Sequence, residues 1–283
     1  ISGVILFDET IRQQGADGTP LVQVLTDQGI IPGIKVDKGT KPLPESPNEL
    51  ITEGLDGLAE RLEEYRELGA RFAKWRGVIT IGDGIPTSYC IDTNAHVLAR
   101  YAALSQAAGL VPIVEPEVLM DGDHSIETAL AVNEITLRKV YQHLAEQRVV
   151  LEGTLLKPSM VLSGTTAPDR ASHEEVARNT LACFKRVVPA AVPGIVFLSG
   201  GQSDEEATVN LDAINRLATV LGAPWQLSFS FGRGLQAAPL NTWLGSQDNK
   251  ERAQQAFYHR AKLTSAARMG VYSAAMEHAV AAN

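Results

Sequence analysis

Seven short apolar runs punctuate the chain, at 3–7, 33–36, 72–79, 110–114, 149–156, 194–198 and 225–229. Longer stretches with helical spacing lie between them, at 55–68, 93–108, 126–147, 173–187 and 204–221, and a helical tail is expected over about 250–280. Strand followed by helix, repeated, predicts βα units and a parallel sheet. The runs are apolar throughout rather than alternating, as strands covered on both faces require. Ser172 with Glu175, and Ser203 with Glu206, have the spacing of helix-start capping pairs. No low-complexity segment or linker interrupts the series, so one domain spanning 1–283 is expected. The repeat predicts an α/β fold of the TIM (β/α)8 barrel type, one strand short, with an open doubly wound sheet as the alternative. No GxGxxG follows the first run, which argues against dinucleotide binding.

Composition narrows the function classes. The 283 residues are 45% hydrophobic and 20% charged, ordinary globular values. The formal net charge of −8 argues against nucleic acid as a partner. It leaves room for a local cationic pocket that takes an anion. The two cysteines, Cys90 and Cys183, form no CxxC and are expected to be reduced. The histidines show no HxH or HExxH pairing, so no metal is expected. No apolar run approaches a membrane span, so no membrane partner is expected. A cytoplasmic location follows, or a plastid one if a transit segment lies upstream of Ile1.

The informative positions are polar groups at the C-terminal ends of the apolar runs, because a charge there needs a reason to be buried. They are Lys35, Asp37 and Lys38; Lys74 and Arg76; Glu115 and Glu117; Glu152 and Lys157; Ser199; and Ser230 with Arg233. In a barrel these ends share one face. Lys74 and Arg76, Glu115 and Glu117, and Lys35 and Asp37 are each two apart and therefore on one side of their strand. A salt-bridge network is the plain alternative for any one of them. Lys157 is the sharpest case, since it closes an apolar run and precedes Pro158. A desolvated lysine beside another cation has a depressed pKa, and its neutral amine can attack a carbonyl to form an imine. Lys74 is the candidate cation, and Glu115 the candidate proton shuttle.

Two glycine turns follow the last two runs, Ser199-Gly200-Gly201-Gln202-Ser203 and Ser230-Phe231-Gly232-Arg233-Gly234. Such loops let backbone N–H groups approach a phosphate at a helix start, and Arg233 adds a bidentate donor. Trp75, Trp225 and Trp243 read as packing residues, Cys183 as helix core, Asp56 as a helix-start group and His124 as a loop residue.

These segments together resemble class I fructose-bisphosphate aldolases. The likeness is carried by Gly33-Ile34-Lys35-Val36-Asp37-Lys38-Gly39, Phe72-Ala73-Lys74-Trp75-Arg76, Val111-Pro112-Ile113-Val114-Glu115-Pro116-Glu117 and Leu151-Glu152-Gly153-Thr154-Leu155-Leu156-Lys157-Pro158, with 1–7, 54–58, 197–203 and 228–236. The resemblance implies reversible cleavage of fructose 1,6-bisphosphate to dihydroxyacetone phosphate and glyceraldehyde 3-phosphate, as in glycolysis or gluconeogenesis. It implies that Lys157 forms the imine (Schiff base), Glu115 is the main acid/base, Lys74 tunes Lys157 and Glu117 steadies the cations. Ser199, Gly200, Gly201, Ser230, Gly232 and Arg233 would hold one phosphate. Lys35 and Arg76 would lie toward the other, with Asp37 grouped beside them. No cofactor or metal is implied, and homotetramers are usual.

Two departures from the family pattern stand out. Family members begin earlier, with a first strand, a catalytic Asp and residues for the second phosphate; as given, the chain opens on the second strand. A barrel short of one strand has two unpaired edges; either the sequence is truncated or the protein is a degenerate copy. The chain also ends Ala281-Ala282-Asn283 without a terminal Tyr, which puts tail-dependent control in doubt. The rivals to an active aldolase are a catalytically weak fragment or paralogue acting by binding or assembly, and an imine-forming lyase for a related ketose phosphate.

Overall fold

The computed structural model describes residues 1–278; the end of the expected tail helix and the Ala281-Ala282-Asn283 terminus lie outside the described residues. Its contacts group the chain into two units. The first comprises Ile1–Val118, Ile135–Lys157 and Val188–Pro193. Here β1 (Gly3–Leu6), α1 (Asp8–Ile11), α2 (Leu21–Asp27) and β2 (Ile31–Lys35) open the chain. A hairpin of β3 (Thr40–Pro42) and β4 (Leu50–Thr52) follows, then α3 (Leu58–Glu67), β5 (Phe72–Ile79), α4 (Ser88–Ala107) and β6 (Val111–Val118). Helix α5 (Ile126–Glu146), which belongs to this unit from Ile135 on, leads to β7 (Leu155–Leu156).

The parallel order in this unit is β1-β2-β5-β6-β7. Successive strands are neighbours without the order reversal that a doubly wound sheet needs. Trp75, fully buried, stacks on Tyr101 of α4 with centroids 5.6 Å apart, at the centre of a cluster with Ile34, Leu98, Val114 and Leu144.

The run expected as a strand at 149–156 is mostly not one. Leu151–Gly153 forms a 3-10 turn, closed by Thr154 Oγ1 donating to Leu151 O at 2.7 Å. Gln106 holds it from α4, accepting from Val150 N and donating to Val150 O and Gly153 O. The brevity of β7 also has a cause in β6. Lys157 N–H donates to Val114 O at 2.8 Å, while Val111 N–H donates to Arg71 O on the β5 side. Even-numbered positions of β6 therefore face β7, and two of them, Pro112 and Pro116, have no N–H to give. Val114 is left as the single donor toward β7 between those prolines.

The second unit comprises Leu119–Glu134, Pro158–Val187 and Gly194–Asn283. It contains α6 (His173–Val187), β8 (Gly194–Phe197), α7 (Asp204–Leu221), β9 (Gln226–Phe229), α8 (Arg233–Trp243) and α9 (Lys250–Arg268). Strands β8 and β9 pair in parallel. Phe184 stacks on Phe197 and meets the edge of Trp225. The expected caps form. Ser172 Oγ accepts Glu175 N–H while the Glu175 carboxylate accepts Ser172 N–H at 2.9 Å. Ser203 Oγ accepts Glu206 N–H, but the Glu206 carboxylate turns instead to Arg170. Helix α8, unexpected from the pattern, carries Pro239 inside it. Trp243 is 42% exposed and so is not the packing residue expected.

Candidate active site

Five charged side chains of the first unit form one series. Lys35 Nζ lies 2.6 Å from Asp37 Oδ1; Asp37 Oδ2 lies 3.5 Å from Lys74 Nζ. Lys74 Nζ is 3.1 Å from Glu115 Oε2, and Glu115 Oε1 is 3.1 Å from Lys157 Nζ. The signs alternate from end to end. Asp37, Lys74, Glu115 and Lys157 are all buried. Buried ions hold only with partners, and removing one partner typically costs about 3–5 kcal/mol. Lys74 meets Oε2 of Glu115 off the hydrogen-bonding direction, so the contact is an ion pair only.

Local structure sets the series up. The Trp75 ring fills the core on one side of β5, which turns Lys74 and Arg76 to the other. Ladder pairing puts Arg76 beside Glu115. Lys157 follows the two residues of β7. Arg76 does not join the five. It pairs with Glu117, and its carbonyl accepts from Thr52 Oγ1 at 2.6 Å. Glu117 acts on Lys157 only through space.

Electrostatics single out Lys157. Burial pushes its pKa below the ordinary lysine value, and the Lys74 charge pushes the same way; Glu115 opposes without cancelling them. Three cations face two carboxylates, so loss of one proton leaves the series neutral. A lysine poised to lose that proton, next to a carboxylate that can carry it, is equipped for carbinolamine and imine chemistry.

The glycine loops lie in the second unit. Ser199 Oγ accepts Gly234 N–H at 3.3 Å, and Ser230 N–H donates to Phe197 O at 2.8 Å, so the loops after β8 and β9 are tied together. Gly201 has φ +78°, and a Cβ there would lie 2.7 Å from Met120 Sδ, so only glycine fits. Gly200 shares this turn. Gly232 precedes the first turn of α8 and offers no side-chain cap of its own; Ser199 Oγ takes the Gly234 N–H instead, and Gly232 O takes those of Leu235 and Gln236. Arg233 opens the helix, is exposed, and has no ion-pair partner among the described residues. Backbone donors with one free guanidinium suit an oxyanion. No group of three or more His, Cys, Asp or Glu suited to a metal ion is found among the described residues.

The family model described as Glycolytic: Fructose-bisphosphate aldolase class-I matches residues 1–283. The chain belongs to the class I fructose-bisphosphate aldolase family. It is 59% identical over 273 residues to a probable class 1 aldolase of Xanthomonas campestris, covering 95% of this chain and 80% of that one. It is 53% identical over 272 residues to the cytosolic fructose-bisphosphate aldolase 6 of Arabidopsis thaliana, covering 96% and 75%. The aldolase of Plasmodium falciparum, solved in complex with TRAP and a small-molecule inhibitor, superposes with a TM-score of 0.93 at 49% identity, over 96% of this chain and 78% of that one.

In this aldolase the supports of the site were not visible from pattern. Arg61 of α3 reaches the carbonyls of Val36 and Gly54. Behind the β8 loop, His173 Nδ1 meets Asn210 Oδ1 at 2.6 Å, and Asn210 Nδ2 donates to Gln202 Oε1 at 2.7 Å. His124, read as a loop residue, is buried, and burial lowers its pKa. Residues that act by gripping backbone carry no charge pattern along the sequence. Only the approach of distant segments shows them.

Proposed function

We propose that the chain catalyses the reversible cleavage of fructose 1,6-bisphosphate to dihydroxyacetone phosphate and glyceraldehyde 3-phosphate through an imine on Lys157. The observation that carries this reading is the alternating series ending in a buried, pKa-depressed lysine 3.1 Å from a carboxylate. The neutral Lys157 amine attacks the C2 carbonyl. Glu115 supplies a proton to the carbinolamine hydroxyl, which leaves as water. The resulting iminium takes up the electron pair of the C3–C4 bond while a base removes the C4 hydroxyl proton, releasing the aldehyde. The enamine is then protonated at C3, and water hydrolyses the imine to free the ketone. Electron withdrawal comes from the iminium, and no metal takes part in these steps.

Lys74 keeps Lys157 deprotonated by its charge and meets substrate. Glu117 orders Arg76. Lys35, Asp37 and Arg76 bind the substrate away from the imine carbon. Ser199, Gly200, Gly201, Ser230, Gly232 and Arg233 bind a phosphate through the tied loops. The strand–helix repeat is read as a single (β/α)8 barrel domain and the assembly as a homotetramer, which light scattering on the purified protein tests. A cytosolic location follows the relatives named for it. Borohydride reduction in the presence of dihydroxyacetone phosphate tests the whole reading. A mass adduct on Lys157 is expected, and an adduct elsewhere or none would overturn it.

A further inference from the structure

Between β2 and α3 the chain leaves the sheet at Val36, makes the β3–β4 hairpin, and returns at Gly54. The excursion carries Asp37 at its first position. Its two ends are closed on each other: Lys38 N–H donates to Glu53 O at 2.8 Å, and Glu53 N–H to Gly39 O at 3.0 Å. Gly54, at φ +127°, passes so near that a Cβ would lie 3.0 Å from Lys38 N and 3.3 Å from the Trp75 ring. Arg61 sits under this closure. One nitrogen donates to Val36 O at 3.0 Å and the other to Gly54 O, the carbonyls at the point of departure and the point of return. Arg61 has no carboxylate within ion-pair distance among the described residues, its charge reaches Asp8 through space and its side chain meets Tyr65, and its Nε is buried without a hydrogen-bond partner. A guanidinium fork that grips two carbonyls fixes their separation and orientation, which a lysine cannot do.

Geometry at the exit links this clamp to the ion series. Val36 N–H donates to Lys74 O at 3.1 Å, so the Val36 peptide is held by β5 on one side and by Arg61 on the other. The next residue is Asp37. Its carboxylate touches Lys35 and Lys74, accepts Gly39 N–H at 3.2 Å, and its carbonyl accepts from Lys35 Nζ at 2.9 Å. The Lys74 contact, at 3.5 Å, is the longest of the series and the one most sensitive to a small shift of the Val36–Asp37 peptide.

We propose that Arg61 is a positioning residue for the imine chemistry. By joining the Val36 and Gly54 carbonyls it sets the Val36–Asp37 peptide and so holds the Asp37 carboxylate against Lys74. The proposal rests on the reading that this series serves Lys157, but goes beyond it by assigning a group that touches none of the five side chains.

The test is a double-mutant cycle on the full chain, with Arg61→Lys and Asp37→Asn alone and together, reading kcat, KM and melting temperature. Arg61→Lys should lower kcat ~10-fold or more, the scale of a small misplacement in a site, with KM within about twofold. In the Asp37→Asn background the same change should cost nothing further, because both act through one carboxylate. Parental turnover by Arg61→Lys, losses that multiply in the double variant, or a kcat loss accounted for by unfolding would each overturn it. Arg61→Ala supplies a second reading: millimolar methylguanidinium should restore part of kcat, and should restore none once Asp37→Asn is added. Equal rescue in both backgrounds would also overturn it. Borohydride trapping on the unsubstituted chain separates the two levels. No adduct at Lys157 defeats the imine reading itself, whereas an adduct there with an inert Arg61 defeats only the clamp.

Discussion

The two units hold their functional groups by opposite means. In the first unit, buried side chains of alternating sign fix one another, and the backbone serves to present them. In the second, the backbone itself is the instrument: glycine turns, and a hydroxyl tying one loop to the helix start that follows the next. The first arrangement is costly to disturb electrically, since any partner removed leaves a buried ion. The second is costly to disturb sterically, since Gly201 has Met120 against it. The contrast fits the tasks proposed for them. Proton transfer needs groups whose charge can change at a fixed place, whereas a phosphate, already ionised, needs donors that do not move.

Substitutions should separate the two regions in kind as well as size. Lys157→Ala should abolish cleavage and borohydride trapping together; measurable turnover would place the nucleophile elsewhere. Glu115→Gln should slow kcat by ~10² to 10⁴, the worth of a positioned acid/base, and a near-parental rate would move that role to Glu117 or Asp37. Arg233→Ala removes a charge-assisted hydrogen bond of about 1.5–3 kcal/mol and should raise KM roughly tenfold or more. Weaker competition by inorganic phosphate should accompany it, with trapping at Lys157 preserved at saturation; loss of trapping would erase the division drawn here. Gly201→Ala should destabilise by about 1–3 kcal/mol from the positive φ and the Met120 contact, read as a lowered melting temperature. Smallest of all is a pH effect. The rate of imine formation should rise with pH through an apparent pKa below the ~10.4 of a free lysine, because the folded chain disfavours the charged amine. In a Lys74→Met variant, which removes the cation that pushes down, that limb should move up; an unmoved limb would leave burial as the sole cause.

Much of the first region was legible in the sequence, because a lysine or glutamate closing an apolar run conflicts with its surroundings and therefore draws notice. Lys74, Glu115 and Lys157 all announce themselves in this way. Alternation was a weaker guide. It put Lys74 and Arg76 on one side of β5, but their partners differ, and only the carboxylate positions reveal that Arg76 belongs with Glu117. The hairpin at 40–52 was not legible, since Pro42, Pro44 and Pro47 mask any strand signal, and neither was α8, interrupted by Gly234 and Pro239. The run at 149–156 was read as too long a strand because apolar residues suit a 3-10 turn against α4 equally well. Arg61 was invisible for a different reason: the partners that matter to the clamp are carbonyls, which every residue has.

The two prolines of β6 have a consequence for motion. With one donor between them facing β7, the segment bearing Lys157 is fastened to its neighbour by few amide protons, chief among them its own bond to Val114 O. Hydrogen–deuterium exchange at the Lys157 amide thus reports directly on whether that fastening opens. Its protection should fall below that of the Val114 amide and climb when the imine is reduced, giving a view of the lysine's tether that needs no turnover at all.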